Sequence, residues 1–209
     1  MEPLEFAAPR LDHSIDVDAI LARLPAHAAT KGLAISAALD RLRARPDLAE
    51  WTDERVWARV GAGHPRPAAL QAVPWSTYLR VSVFVARLLD PECTCRGLRE
   101  IGRAVPSAFG ETLVGRMLFG TLGRNFARVL LMAPNAWRIC DNFGAVEAEP
   151  LSARQVRFHF VDYPTEIVET AYVGTLEGVC TWLEVEAEFA IGCAGARRTV
   201  IDLTWRSPR

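Results

Sequence analysis

The chain has 209 residues, half of them hydrophobic and 23% charged, which suits one globular domain with a buried core and an elaborated end. A net charge of −1 supplies no long-range attraction to nucleic acid or to an anionic membrane and argues against both as partners. No apolar run approaches the ~18 uncharged residues a membrane span needs; the longest candidate, "VSVFVARLL", carries Arg87.

In chain order, "SIDVDAILARL" predicts a short helix capped by Ser14 or Asp16, with Ile20, Leu21 and Leu24 on its apolar side. "GLAISAALDRLRAR" repeats apolar residues at helical spacing, and "WTDERVWARV" reads as another short helix capped by Thr52 or Asp53. "GAGHPRPAALQAVP" is a Gly/Pro-rich connector. Tyr78, Val81, Val85 and Leu88 or Leu89 then mark a buried helix, and Asp90-Pro91-Glu92 predicts the start of the next. The stretch 95–134 is helical in pattern, with breaks expected near Val105-Pro106 and near Gly120-Gly123.

After "NAWRICDNFG" the period changes from helical to alternating. "GAVEAEPLS" and "QVRFHFVDY" read as strands, with Val156, Phe158 and Phe160 opposite Arg157 and His159. A helix over 165–183 follows, then a strand with Val185, Ala187, Phe189 and Ile191 on one side, the turn "GCAGARR", and the strand "TVIDLTW". The order predicts an α+β fold, a helical layer packed on a four-stranded antiparallel sheet of β-β-α-β-β order. We expect residues 1–30 to form a tail and short helix, and 31–209 a single domain with helices over 31–140 and the sheet with its crossover helix over 143–206.

A wheel of residues 166–183 at ~100° per residue places Val168, Tyr172, Thr175, Val179 and Trp182 toward the sheet. It leaves Glu166, Glu169 and Glu177 in water, with Cys180 at the polar edge, and puts Gly174 and Gly178 at a boundary that permits close backbone approach. Cys180 is then scaffold and no nucleophile.

Five cysteines, an odd number, with no secretory signal in "MEPLEFAAPRLDHSIDVD", imply a reduced cytoplasmic protein. The pair Cys93 and Cys95 lacks a second Cys or His pair at metal-binding spacing, so no metal is expected. No nucleophile elbow, Walker loop, dinucleotide fingerprint or HExxH is present, and no cofactor is implied.

"GLREIGRAVPSAFGETLVGRML", "NFG" before the strands, "YVGTLEGV" and the terminal "VIDLTW" resemble a domain-of-unknown-function family abundant in myxobacteria. The resemblance runs from about Lys31 to Trp205. That family is in turn similar to the ligand-binding superfamily of haem–nitric-oxide, four-vinyl-reductase and transport-particle domains. The resemblance implies helices on a twisted antiparallel sheet, with an apolar cavity between them and a role in sensing, ligand binding or assembly. Haem sensors of that superfamily use a helix histidine and a Tyr-x-Ser-x-Arg run; this chain has no histidine between His64 and His159 and no such run, so haem is not implied.

Three functional readings stand at this point. The first is a non-enzymatic small-molecule-binding or sensor module, taking an apolar molecule or lipid in a pocket formed by Phe109, Leu113, Met117, Phe119, Phe158, Phe160, Phe189 and Trp205. The second is a homodimeric interaction scaffold with Trp51, Trp57 and Trp75 as anchors. The third is an enzyme for an anionic substrate, held by Arg116, Arg124 and Arg138 beside Asp141, Asn142 and His159.

Overall fold

The computed structural model describes residues 5–62, 66–122, 125–193 and 197–206, with helices leading and a sheet closing the chain. Helix α1 (Val17–Leu21) starts at Asp16, whose Oδ1 accepts from the amides of Asp18 and Ala19, both at 3.0 Å. Strand β1 (Ala29–Lys31) leads into α2 (Gly32–Arg43), and Thr52 caps α3 (Asp53–Val60). Strand β2 (Ala72–Pro74) pairs antiparallel with β1 and runs into α4 (Trp75–Leu89). This ladder went unpredicted, because three residues per strand are too few to show an alternation.

Helix α5 (Thr94–Gly110) begins later than Asp90-Pro91-Glu92 suggests: Cys93 is its N-cap, and Asp90 instead accepts from the Cys93 amide at 2.8 Å and pairs with Arg96 at 2.6 Å. The expected break at Pro106 is absent, and the helix runs through it. A proline removes one N–H from the ladder, and here burial of Ile101, Gly102, Pro106 and Phe109 against neighbouring elements outweighs that loss. Helices α6 (Leu113–Leu122) and α7 (Phe126–Cys140) follow, α6 running through Gly120 and α7 starting after the extended N-cap Asn125; Gly123, the other end of the expected interruption, lies outside the described residues.

The sheet comprises β3 (Ala145–Ser152), β4 (Gln155–Val161), β5 (Ala187–Cys193) and β6 (Arg198–Trp205), antiparallel throughout in the order β3-β4-β6-β5. Register aligns Ala148, Phe158, Ile201 and Ile191 across it. Val156, Phe158, Phe160, Ile201 and Leu203 therefore share one face, and all are buried. That face carries the rings of α7: Trp137 meets Phe160 at 5.5 Å, and Phe126 meets Trp205 at 5.1 Å.

Beside α7 lies helix α8 (165–182), built of an α-helical turn Thr165–Ile167, a π-helical stretch Val168–Tyr172 and the α-helix Val173–Trp182. Its sheet side is marked by Tyr172 against Phe160 at 5.5 Å and by Thr165 Oγ1 3.0 Å from Thr199 Oγ1. Its other side presses on α5 with no room for side chains. A Cβ on Gly102 would sit 2.1 Å from the Ala171 carbonyl oxygen, one on Gly174 2.2 Å from that of Arg99, and one on Gly178 2.4 Å from that of Arg103. Covered on both sides, α8 buries residues that the wheel left in water. Glu169 is 2% exposed and Cys180 6%, whereas Trp182 is 45% exposed. Glu177 is bonded by Arg99 at 2.7 and 2.9 Å and by Arg103 at 2.8 Å, and Glu166 by Arg23 at 2.7 Å.

Residues 5–15 form a strap over this assembly. Ala7 exchanges backbone hydrogen bonds of 2.9 and 2.7 Å with Ile191, which shields the outer edge of β5. The Arg10 amide donates to Glu169 Oε2 at 2.8 Å, and His13 Nε2 lies 3.2 Å from the same oxygen. Cys93 Sγ donates to the Leu11 carbonyl at 3.1 Å and Cys95 Sγ to that of His13 at 3.3 Å, so this cysteine pair anchors the strap. Among the described residues no cluster of three or more His, Cys, Asp or Glu could hold a metal ion, and no helix is long and apolar enough to cross a membrane.

Candidate functional site

A cavity of about 110 Å³ lies where α2, α5, α7 and α8 meet. Helix α5 contributes Ile101, Val105 and Phe109, α7 contributes Val129, Met132 and Ala136, and α8 contributes Ala171, Thr175 and Val179. The three-to-four spacing on each helix explains the grouping, since such residues share one stripe. The small residues Gly102, Ala133, Ala136 and Ala171 leave the space that larger side chains would fill.

One end of the cavity is polar. Asp141, the C-cap of α7, lines it together with Thr30, Tyr78, Cys140 and Tyr172. Tyr172 donates to Asp141 Oδ2 at 2.9 Å, Tyr163 approaches the same oxygen at 3.3 Å, and Trp75 Nε1 approaches Oδ1 at 3.4 Å. The next residue, Asn142, fixes the loop, accepting from the Ala29 amide at 2.7 Å and donating to the His27 carbonyl at 3.0 Å. Around the carboxyl the rings stack edge to face: Trp75 on Tyr78 and on Phe143, both at 5.2 Å, Tyr163 on Tyr172 at 5.3 Å, and Trp137 on Tyr172 at 5.7 Å.

Burial pushes the Asp141 carboxyl above the usual carboxylate range, against the opposing pull of hydrogen bonds from Thr30, Tyr172, Trp75 and Tyr163. Burial, then the nearby Asp141, raises the hydroxyls of Tyr78, Tyr163 and Tyr172, so all three remain protonated donors. The same two causes push the Cys140 thiol up to about 12, which removes it as a nucleophile near neutral pH. Because the folded pKa of Asp141 exceeds the unfolded one, the native protein keeps this proton where the unfolded chain has lost it. The stability it lends is complete below the unfolded pKa and is lost as pH rises through the folded pKa. Asp141→Asn should flatten that limb of the profile in urea titrations across pH, and an unchanged slope would place the carboxyl in water-like surroundings.

Of the eight residues expected around a pocket, Phe109 lines this one. Phe158 and Phe160 are fully buried beneath Trp137, and Trp205 packs on Phe126. Phe189 is half-buried beside the core. Leu113 and Met117 on α6 are each 68% exposed, and the side chain of Phe119 lies outside the described residues. α7 and α8, lying side by side on the sheet, cover the aromatic face, so the space opens one layer further out.

The arginine site does not assemble among the described residues. Arg116 is exposed, Arg138 is exposed and donates to Asn135 at 2.6 Å, and Arg124 lies outside the described residues. His159 sits on the opposite face of the sheet, 3.0 Å from Glu149 and 2.9 Å from Arg198. Trp57 and Trp75 are buried and Trp51 packs on Phe84 at 5.1 Å, so these tryptophans serve the core.

Thr30, Tyr78, Trp137 and Tyr172 were not assigned to a pocket from the sequence. A signal for the polar end was present in "WRICDNFG". An acid at a helix C-terminus opposes the macrodipole, and a local rule broken in this way marks a place where something else is being served.

This arrangement of helices and sheet is the H-NOX fold. An H-NOX protein from S. oneidensis superposes with a TM-score of 0.69 at 11% identity, covering 86% of this chain and 97% of the other. An oxygen-binding H-NOX domain related to soluble guanylate cyclases, in its oxygen complex, gives 0.66 at 16% identity over 85% and 96%. A structure from work on heme distortion in the H-NOX family gives 0.65 at 16% over 86% and 96%. At these identities the likeness establishes the fold alone. A search among curated proteins finds no match. Residues 24–206 match the family described as "Protein of unknown function (DUF2378)", and the chain belongs to that family.

Proposed function

We propose that this protein is a ligand-binding regulatory module whose site is the cavity between α2, α5, α7 and α8, and that it binds a small, largely apolar molecule without turning it over. The observation that carries this reading is an apolar void of about 110 Å³ with hydrogen-bonding groups gathered at one end. A dry apolar cavity of ~150 Å³ takes up benzene or xenon, so a space of this order has a ligand class. Structural neighbours that hold oxygen or nitric oxide support a sensing role. Binding is favoured over catalysis because, among the described lining residues, the one thiol is held protonated and there is no histidine.

Neighbours with heme raise the question whether this cavity suits a porphyrin. It does not fit one. Its described lining offers no histidine as axial ligand and no arginine or lysine for the propionates, and its volume is that of a small ring.

Titration with benzene or xenon, followed by amide NMR shifts, tests the reading. Shifts should concentrate on α5, α7 and α8 and should vanish in Ala136→Leu, which fills the void with hydrocarbon. Unchanged spectra at saturating probe would end the proposal.

A further inference from the structure

The polar end of the cavity holds an acid for which the described residues supply no counter-ion. Every group bonded to Asp141 is a neutral donor: Tyr172, Tyr163, Trp75 and Thr30. The Tyr172 bond is 2.9 Å long, against 3.3 Å for Tyr163 and 3.4 Å for Trp75. The single proton of Tyr163 is also shared with the Phe143 carbonyl, 3.1 Å away. A carboxylate offers about four lone-pair positions, which these four donors can fill, but none of the four brings a positive charge to meet the negative one. Asp141 also caps the carbonyl end of the fifteen-residue α7, and the last carbonyls of that helix add to the same negative potential.

Aromatic rings complete the setting. Tyr78, Trp137 and Tyr172 line the same cavity as Asp141, with Trp137 and Tyr172 inclined at 67° to each other. A cation within ~6 Å of an aromatic face is attracted by the ring quadrupole, and more strongly where water is excluded. An acid among aromatic walls at one end of an apolar cavity is a complementary surface for one chemical class.

Resting on the cavity reading above, we infer that the ligand is a small organic ammonium. Its nitrogen is held by Asp141 among Tyr78, Trp137 and Tyr172, and its hydrocarbon part lies along Val105, Phe109 and Met132. The charge the site lacks arrives with the ligand. The Asp141 carboxyl, which burial favours in its protonated form, releases its proton to solvent as the ammonium enters. The other titratable groups around it are Tyr78, Tyr163, Tyr172 and Cys140, with Lys31 acting on Cys140 from beyond.

The test compares three probes of nearly one shape on the full chain by calorimetry: benzylamine, benzyl alcohol and toluene. Benzylamine should bind about tenfold or more tighter than either neutral probe, and Asp141→Asn should abolish that preference while toluene still binds. Should Asp141→Asn fail to fold, wild-type protein decides. Benzylamine affinity should fall as pH is lowered from about 8 to about 4, while toluene affinity holds. Toluene binding as tightly as benzylamine, or a preference that survives Asp141→Asn, overturns the ammonium assignment and leaves the cavity reading standing. Failure of all three probes overturns both.

Discussion

Gly174→Val should abolish cooperative folding or cost at least about 3 kcal/mol, the upper end of overpacking penalties. At roughly 2–4 °C per kcal/mol for a domain of this size, the melting temperature should fall by ~6–12 °C or more. The contact responsible lies between backbones: a Cβ at 174 meets the Arg99 carbonyl oxygen at 2.2 Å and the Arg99 carbonyl carbon at 3.0 Å. No rotamer change relieves such a contact, so α5 and α8 must separate along a crossing that also contains Gly102 and Gly178. Gly174→Ala is the sharper variant. In an open helix this change gains ~1 kcal/mol; at 174 the clash should reverse the sign. Gly120→Ala in α6, where a Cβ meets nothing within 4 Å, should show the ordinary gain. Thermal melts of the two alanine variants should move in opposite directions. A common upward shift would mean that α5 and α8 are not in backbone contact.

The contrast between those glycines shows how far the sequence could be read. The spacing of Gly174 and Gly178 in "YVGTLEGV" declared a close approach, and the alternation of Val156, Phe158 and Phe160 declared the sheet face. The rotation of α8 about its axis was not legible. The π-helical stretch Val168–Tyr172 turns less per residue than an α-helix, so a wheel of constant angle drifts across it. The drift joins with the second covering layer, α5, to bury Glu169 and Cys180 and to expose Trp182. Hydrogen bonds from Thr170 to the Glu166 carbonyl at 2.6 Å and from Thr175 to that of Ala171 at 2.9 Å engage backbone acceptors of the irregular stretch. Tyr172 ends it, and this residue donates to Asp141 at 2.9 Å. The cavity was hidden for a related reason. Its walls come from five helices spread along the sequence, and its defining residues are the small ones, Gly102, Ala133, Ala136 and Ala171, which announce nothing in a linear reading.

Trp137→Ala should destabilise the protein by about 3–5 kcal/mol, the range for truncating a buried large aromatic. Trp137 is 9% exposed and joins three structural parts: its ring meets Phe158 at 6.4 Å and Phe160 at 5.5 Å on the sheet, and Tyr172 at 5.7 Å on α8. It also walls the cavity, so truncation enlarges the existing space as well as removing contacts. The enlarged void should accept indole, which replaces the lost ring. A ligand at ~100 times its dissociation constant returns about 2.7 kcal/mol of stability by mass action. Millimolar indole should therefore raise the melting temperature of Trp137→Ala by several degrees and leave the wild type nearly unmoved, because the native cavity of about 110 Å³ already holds the tryptophan along one wall. If Trp137→Ala melts with the wild type, the ring is not part of the core. If it is destabilised yet indifferent to indole, the site has collapsed, and α7 is less firmly held against the sheet than its aromatic contacts imply.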